Sequence, residues 1–420
     1  MNIFQFIKPY LHHLNITPFI CALVIPSIVT GSFIPDLLIS SLSLWFLYFV
    51  FKNKIFYIFK NIYFYIFLCF YLLCILSSLL SDNILFSLKS SFFYVRIAIF
   101  SLLIAYLIDQ NKKILDIFYY TFFITFTILT IDSFIQFFLG YNIVGLPIPG
   151  VRVSSFFGSE LILGSYLSRL FPLFIALFFI KEKKNYFEIF FFIILSVGIY
   201  ITVLFSGGRS SFLFINLGLV FILIFIRNHL TIKLIFVSLI SILLIIFFFK
   251  SDRINQRWLG DVYTPNAMIK NFFNIEKKTN IIISKAHDSF LITSWKMFIE
   301  KPILGHGPKM FRIKCDEWKL NNNDIICSTH PHNFYAQLLA ETGLLGLLFL
   351  FGLLIYFIYF MTRYLIYGFF KNKVLIPNYK ICLLAGLLIT IWPLTTNGNF
   401  FNNKLMIIYG LQIGFFKKSN

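Results

Sequence analysis

The chain has 420 residues, of which 59% are hydrophobic, 20% aromatic and only 13% charged, with 58 phenylalanines among them; its mean hydropathy is +0.84. Soluble globular domains are about a quarter charged and about half apolar, so a water-soluble globule is excluded, and the long apolar runs without a short repeat also exclude collagen-like, coiled-coil and disordered chains. The formal net charge of +19 would suit nucleic acid, but its placement along the chain follows membrane topology instead.

A hydrocarbon core about 30 Å thick takes about 20 apolar residues per helix. Runs of that length predict about twelve spans, near 14–33, 35–51, 62–80, 91–109, 115–139, 160–180, 187–205, 211–226, 234–249, 334–361, 379–396 and 402–416. Spanning strands would alternate apolar and polar residues, and the continuous run Leu234–Phe249 does not. With the N-terminus inside, the inner segments hold 17 basic residues and the short outer connections only Lys89, Arg152, Arg209 and Lys404. Lysine-rich loops face the cytoplasm, so both termini are expected inside. No small-residue cleavage site follows the first span, which is expected to stay as an anchor.

Four stretches follow in chain order: transmembrane helices over 1–130, transmembrane helices with outer arginine-bearing loops over 131–249, an outer segment over 250–333, and C-terminal transmembrane helices over 334–420. In the second, Gly150–Glu160 carries Arg152 on the side where the topology rule disfavours arginine. The tight outer turn Ser206–Gly207–Gly208–Arg209–Ser210–Ser211 lets the backbone approach a ligand. Arg209 there is a forked cation for phosphate oxygens or a snorkelling interfacial arginine.

Residues 250–333 are the only stretch long enough to fold outside the bilayer. Within it, Ser289–Ile299 predicts an amphipathic helix with Leu291, Ile292, Trp295, Phe298 and Ile299 at helical spacing. Lys301–Pro302 ends it, and Ile303–Pro308 follows as a turn. The segment is thus a small helical cap. Cys315 and Cys327, with eleven residues between them, are expected to form a disulfide. No CxxC or HExxH spacing occurs, so neither metal nor other cofactor is expected.

The stretch Ser328–Tyr335 reads as a helix start, with Ser328 or Thr329 capping and Pro331 in the first turn. His332 then falls in that first turn, where a neutral imidazole accepts a proton from a hydroxyl or, as its cation, holds an anion. Two histidines, a proline and a cap at one membrane surface point to function. Glu341, nine residues on, lies about 13 Å deeper by helical rise and is out of reach of His332.

These stretches together resemble the O-antigen ligase and O-antigen polymerase superfamily of bacterial inner-membrane glycosyltransferases. SGGRSSF around Arg209 is similar to the small-residue–Arg turn of that family, KPILGHGPKMF at 301–311 to its Pro–Leu–Gly–x–Gly stretch, and THPHNFYAQLLAETGLLG at 329–346 to its His–Asn helix start. RVSSFFGSELILGSYL at 152–167 resembles its arginine-bearing segment. The likeness covers roughly residues 130–350. It departs from the pattern at Ser159–Glu160–Leu161, where many members have an Asn–Pro–Asn-like stretch, and at Leu291, where many carry an arginine a turn before Trp295.

The resemblance implies an all-α polytopic membrane protein of about 12 helices, with the small cap periplasmic and set between helices 9 and 10. It implies transfer of a glycan from an undecaprenyl-pyrophosphate-linked oligosaccharide to an acceptor hydroxyl on the periplasmic face of the inner membrane, without metal. The acceptor is lipid A–core in a ligase and a lipid-linked glycan in a polymerase; a transporter or flippase of lipid-linked sugars is the alternative from another class. Carried over by residue, His332 is the catalytic histidine and Arg209 and Arg152 bind the pyrophosphate. His330 and Asn333 are further substrate-binding candidates, and Arg253 or Arg257 is a candidate for the charge missing at Leu291.

Overall fold

The computed structural model describes residues 16–181, 184–226, 285–321, 326–370 and 376–418, with isolated positions between 233 and 258. Its described residues are helical and connected by turns. In chain order the helices are α1 (Ile16–Thr30), α2 (Phe33–Asn53), α3 (Ile62–Leu79), α4 (Ile84–Phe92), α5 (Val95–Gln110), α6 (Ile114–Leu139), α7 (Leu163–Ile180), α8 (Tyr186–Phe205), α9 (Arg209–Phe225), α10 (Lys285–Glu300), α11 (Phe311–Asn321), α12 (Phe334–Phe370), α13 (Asn378–Ile391) and α14 (Asn403–Lys418).

Among the described residues, seven stretches are long and apolar enough to cross a membrane. They are α2, α3, α4 with α5 (Ile84–Gln110), α6, α7, α8 and the Phe334–Tyr367 part of α12. α1, α9 and α13 are apolar but shorter. α14, at the last expected span, has 16 residues, and the expected span near 234–249 lies largely outside the described residues.

The chain divides into two compact units. The first takes Met1–Ile34, Lys112–Thr279 and Asn378–Ile389. Its middle is α7, buried along most of its length. The phenylalanines that dominate the composition pack here as stacked rings: Phe137 on Phe205 with centroids 3.8 Å apart, and Phe178 on Phe192 at 3.7 Å. Such pairs add roughly 0.5–1.5 kcal/mol each to the area they bury. The Tyr166 hydroxyl donates to Ile25 O at 2.8 Å, which ties α7 to α1 and satisfies a group buried among rings.

The second unit takes Pro35–Asn111, Asn280–Pro377 and Thr390–Asn420. α5 and α14 lie close along their length because α14 offers small residues to its neighbour. A Cβ on Gly410 would stand 2.8 Å from Ile97 Cγ2 and one on Gly414 2.9 Å from Ile104 Cβ. Ser101 Oγ donates to Gly410 O at 2.7 Å across the same seam. Without water to squeeze out, such small-residue approach and interhelical hydrogen bonds are what hold membrane helices together.

The expected amphipathic helix is α10, and it ends at Glu300 before Lys301–Pro302. Its expected apolar stripe, however, turns away from the core: Ile292, Trp295 and Ile299 are more than half exposed. The side that packs is Phe290, Thr293, Ser294 and Met297, against Phe311, Cys315 and Ala340. Cys315 and Cys327 are joined as a disulfide with Cα atoms 5.6 Å apart. This fastens the residues leading to α12 onto α11.

Candidate functional site

The first unit brings Arg152 and the Gly–Gly–Arg209 turn together. Arg152 Nε donates to Ser206 O at 2.9 Å and its Nη2 to Leu161 O at 3.2 Å. Val153 N donates to Phe205 O at 3.1 Å. Arg152 therefore bridges the turn that opens α9 and the segment before α7, and the first residue of α9 is the exposed Arg209. The space at Gly208 is needed, since its Cβ would stand 2.9 Å from Ser211 Oγ and 3.5 Å from Arg152 Nη2.

Two polar residues one turn apart on α6 hold this loop. Gln136 Oε1 accepts from Ser154 N at 3.0 Å and Ser155 N at 2.7 Å. Asp132 accepts from the Ser155 hydroxyl and from Ile143 N at 2.8 Å. Both are fully buried. A buried carboxylate persists only when its oxygens are hydrogen-bonded, and here the bonds come from the loop itself. The i, i+4 spacing of Asp132 and Gln136 in an otherwise apolar span was the available signal.

The second unit carries the histidines. Helix α12 begins at Phe334, later than expected, and its cap is neither Ser328 nor Thr329. Asn333 caps it, with Oδ1 accepting from Tyr335 N at 2.9 Å and Ala336 N at 3.1 Å, while Nδ2 donates to Pro393 O at 2.8 Å. An asparagine amide satisfies exposed helix N–H groups as well as a hydroxyl does and has a donor left over. His332 thus stands before the helix, with φ of 57°, a conformation uncommon outside glycine but enriched in histidine and asparagine.

Around His332 the contacts converge. Its Nε2 is 3.1 Å from Ser328 Oγ, and its carbonyl accepts from Asn397 N at 2.6 Å. The rings of His330, Phe290 and His287 lie with centroids 4.1, 5.4 and 5.8 Å from its own. His330 Nδ1 is 2.9 Å from Thr329 Oγ1. Burial, then the neighbouring His287, pushes the His332 pKa below 6.5. Burial, then His332, takes His330 down to about 4. Both imidazoles are therefore mainly neutral at neutral pH.

The glycine-rich 301–311 stretch packs on α12 within this unit. α12 is broken at Gly343, whose φ of 67° and ψ of −161° are not helical. The freed backbone is met by the turn: His306 N donates to Ala340 O at 3.2 Å, Gly307 N to Glu341 O at 2.8 Å, and Leu344 N to Pro302 O at 2.8 Å. A Cβ on Gly343 would stand 2.3 Å from Ile303 O, and one on Gly305 2.5 Å from Glu341 C. The two glycine motifs are mates, each leaving room for the other's backbone. Glu341 is used up nearby, accepting from Phe311 N at 3.2 Å and from Gln337 Nε2 at 2.9 Å. It caps α11 and stays away from His332.

Of the expected site residues, Arg152 and Arg209 meet in the first unit and His330, His332 and Asn333 in the second. Arg253 and Arg257 lie outside the described residues. Residues 189–351 match the family model described as O-antigen ligase. This match supports the O-antigen ligase and polymerase superfamily. It spans Arg209, the 301–311 turn and the histidines, and starts after Arg152. No curated protein matches the chain.

Proposed function

We propose that the protein is an O-antigen ligase-type glycosyltransferase, which moves a glycan from undecaprenyl pyrophosphate to a hydroxyl of lipid A–core without metal. The acceptor oxygen bonds to the anomeric carbon of the glycan as the carbon–oxygen bond to pyrophosphate breaks. The bonding pair leaves with the pyrophosphate, and the hydroxyl proton passes to the His332 imidazole. Arg152 and Arg209 meet the departing charge, since a guanidinium fork matches phosphate oxygens and stabilisation of developing charge is the larger part of such catalysis. His330 and Asn333 position His332, the first by ring contact and the second through the cap.

The observation that carries this reading is His332: a neutral imidazole in a fixed orientation, half-buried against His287, Phe290, His330 and Ser328. A residue held so specifically before a helix, and kept unprotonated by its surroundings, suits a general base. In the membrane we take about twelve spans with both termini in the cytoplasm, in the inner membrane. α10 and α11 then form the periplasmic cap, and the exposed Trp295 stripe of α10 lies at the bilayer surface as interfacial helices do.

Purified protein given a labelled undecaprenyl-pyrophosphate oligosaccharide, with or without lipid A–core and with EDTA throughout, tests this. Label on lipid A–core is expected, and His332→Ala should slow its transfer about 10²–10⁴-fold. A ladder of longer lipid-linked glycans formed without lipid A–core would instead make the enzyme a polymerase, with the same chemistry at His332. Folded protein that transfers to neither acceptor would overturn the reading.

A further inference from the structure

Beside the histidines, the second unit gathers charges that the sequence scatters over some 300 positions. Asp36 and Arg96 form an ion pair at 2.8 Å, and Asn403 Nδ2 donates to the other Asp36 oxygen at 2.8 Å. Lys309 and Arg312 join them from the glycine turn and the first turn of α11. The charges that act on Lys309 are Arg312, Glu341, Asp36 and Arg96, and Arg312 also acts on His330.

The two acids of this group are already committed. Asp36 is taken by Arg96 and Asn403, and Glu341 by Phe311 N and Gln337. Among the described residues neither Lys309 nor Arg312 forms an ion pair. Arg312 Nε is buried and has no hydrogen-bond partner there. An unpartnered buried donor costs about 1–3 kcal/mol, and two adjacent cations, neither held in an ion pair, repel each other. Lys309 moreover takes a φ of 65°, a conformation that costs about 1–3 kcal/mol in a residue other than glycine and gathers at ligand sites. Both side chains are only half-buried, so a ligand reaches them.

We propose that Lys309 and Arg312 form a phosphate-binding site in the second unit, one that takes the phosphate group of a saccharide or of its lipid carrier. A phosphate monoester carries a charge of about −1.5 to −2 at neutral pH, which matches the two uncommitted cations. Arg312 supplies the forked donor, Lys309 the point charge. Burial, and then Arg312, depresses the Lys309 pKa, as expected of a cation whose counter-charge arrives with the ligand. The site does not rest on the transfer reaction, because binding alone reports it.

The test is equilibrium binding to the full-length protein in detergent, with undecaprenyl monophosphate and the water-soluble glucose 1-phosphate as probes and glucose as the uncharged control. Lys309→Asn keeps a residue that tolerates the positive φ, and Arg312→Gln keeps the helix. Each should weaken phosphate binding at least tenfold with an unchanged melting temperature, and Arg312→Lys should weaken it less. The same series in an Arg209→Gln background keeps the result readable if the arginine turn has another role. Binding of the lipid probe alone points to the carrier's phosphate as source; binding of glucose 1-phosphate as well points to a phosphorylated sugar. Folded variants that bind both probes like the parent, or a parent that binds neither, would overturn the site.

Discussion

The arginine turn of the first unit and the histidine stretch of the second use the same device to opposite electrical ends. Each hangs an irregular segment on a buried or capping amide: Gln136 accepts two loop N–H groups, and Asn333 accepts two helix N–H groups while donating to Pro393 O. At the arginine turn, carbonyl oxygens of Ser206 and Leu161 accept from the Arg152 guanidinium and fix its orientation. In the histidine stretch, rings and burial surround the imidazoles and favour their neutral form. Backbone carbonyls orient a guanidinium where we propose that pyrophosphate is held; desolvation keeps an imidazole neutral where we propose that a proton is taken.

Substitutions break this contrast to different extents. His332→Ala removes the proposed base and should lower transfer about 10²–10⁴-fold with little change in melting temperature, as read by initial rates on folded protein. Arg152→Gln leaves the turn its backbone but takes away charge on the pyrophosphate side. A loss of about 10²-fold is expected, and it should stay whatever the pH between 6 and 8. Gly343→Ala acts on structure: its Cβ meets Ile303 O in a backbone conformation that alanine resists. It should cost at least about 1–3 kcal/mol, visible as a lower melting temperature in detergent. Asn333→Ala removes the α12 cap, which costs about 1 kcal/mol and frees His332 to reorient, so both stability and rate should fall modestly.

Much of this was legible in the sequence, for a physical reason. Apolar runs longer than a bilayer is thick are read off directly, and α2, α3, α6, α7 and α8 fall where they were expected. The motifs at Arg209 and His332 could be read as well, because a cation beside glycines and a histidine between a proline and an asparagine are local features. The cap of α12 was misplaced because proline at a helix start and asparagine as a cap are both favourable. The structure places the proline outside the helix, which leaves His332 to absorb the turn at positive φ. The face of α10 was not legible either: Ile292, Trp295 and Ile299 look outward while Phe290 and Met297 pack inward. Nothing local in the sequence marks Lys309 and Arg312, since what sets them apart is Glu341 turning to Phe311 and Asp36 to Arg96.

The most direct measurement is the pH dependence of the initial transfer rate in the parent and in His332→Ala. The folded-state pKa of His332 lies below 6.5 through burial and His287, while Ser328, His330 and Phe290 complete its surroundings. The neutral base is therefore the major form above pH 6.5 and is lost as pH falls through its lowered pKa. The parent should decline in acid on a limb whose midpoint lies below about pH 6.5, and the residual activity of His332→Ala should lack this limb. A variant that works at the parent's rate, or one that declines along the same limb, would contradict His332 as the base.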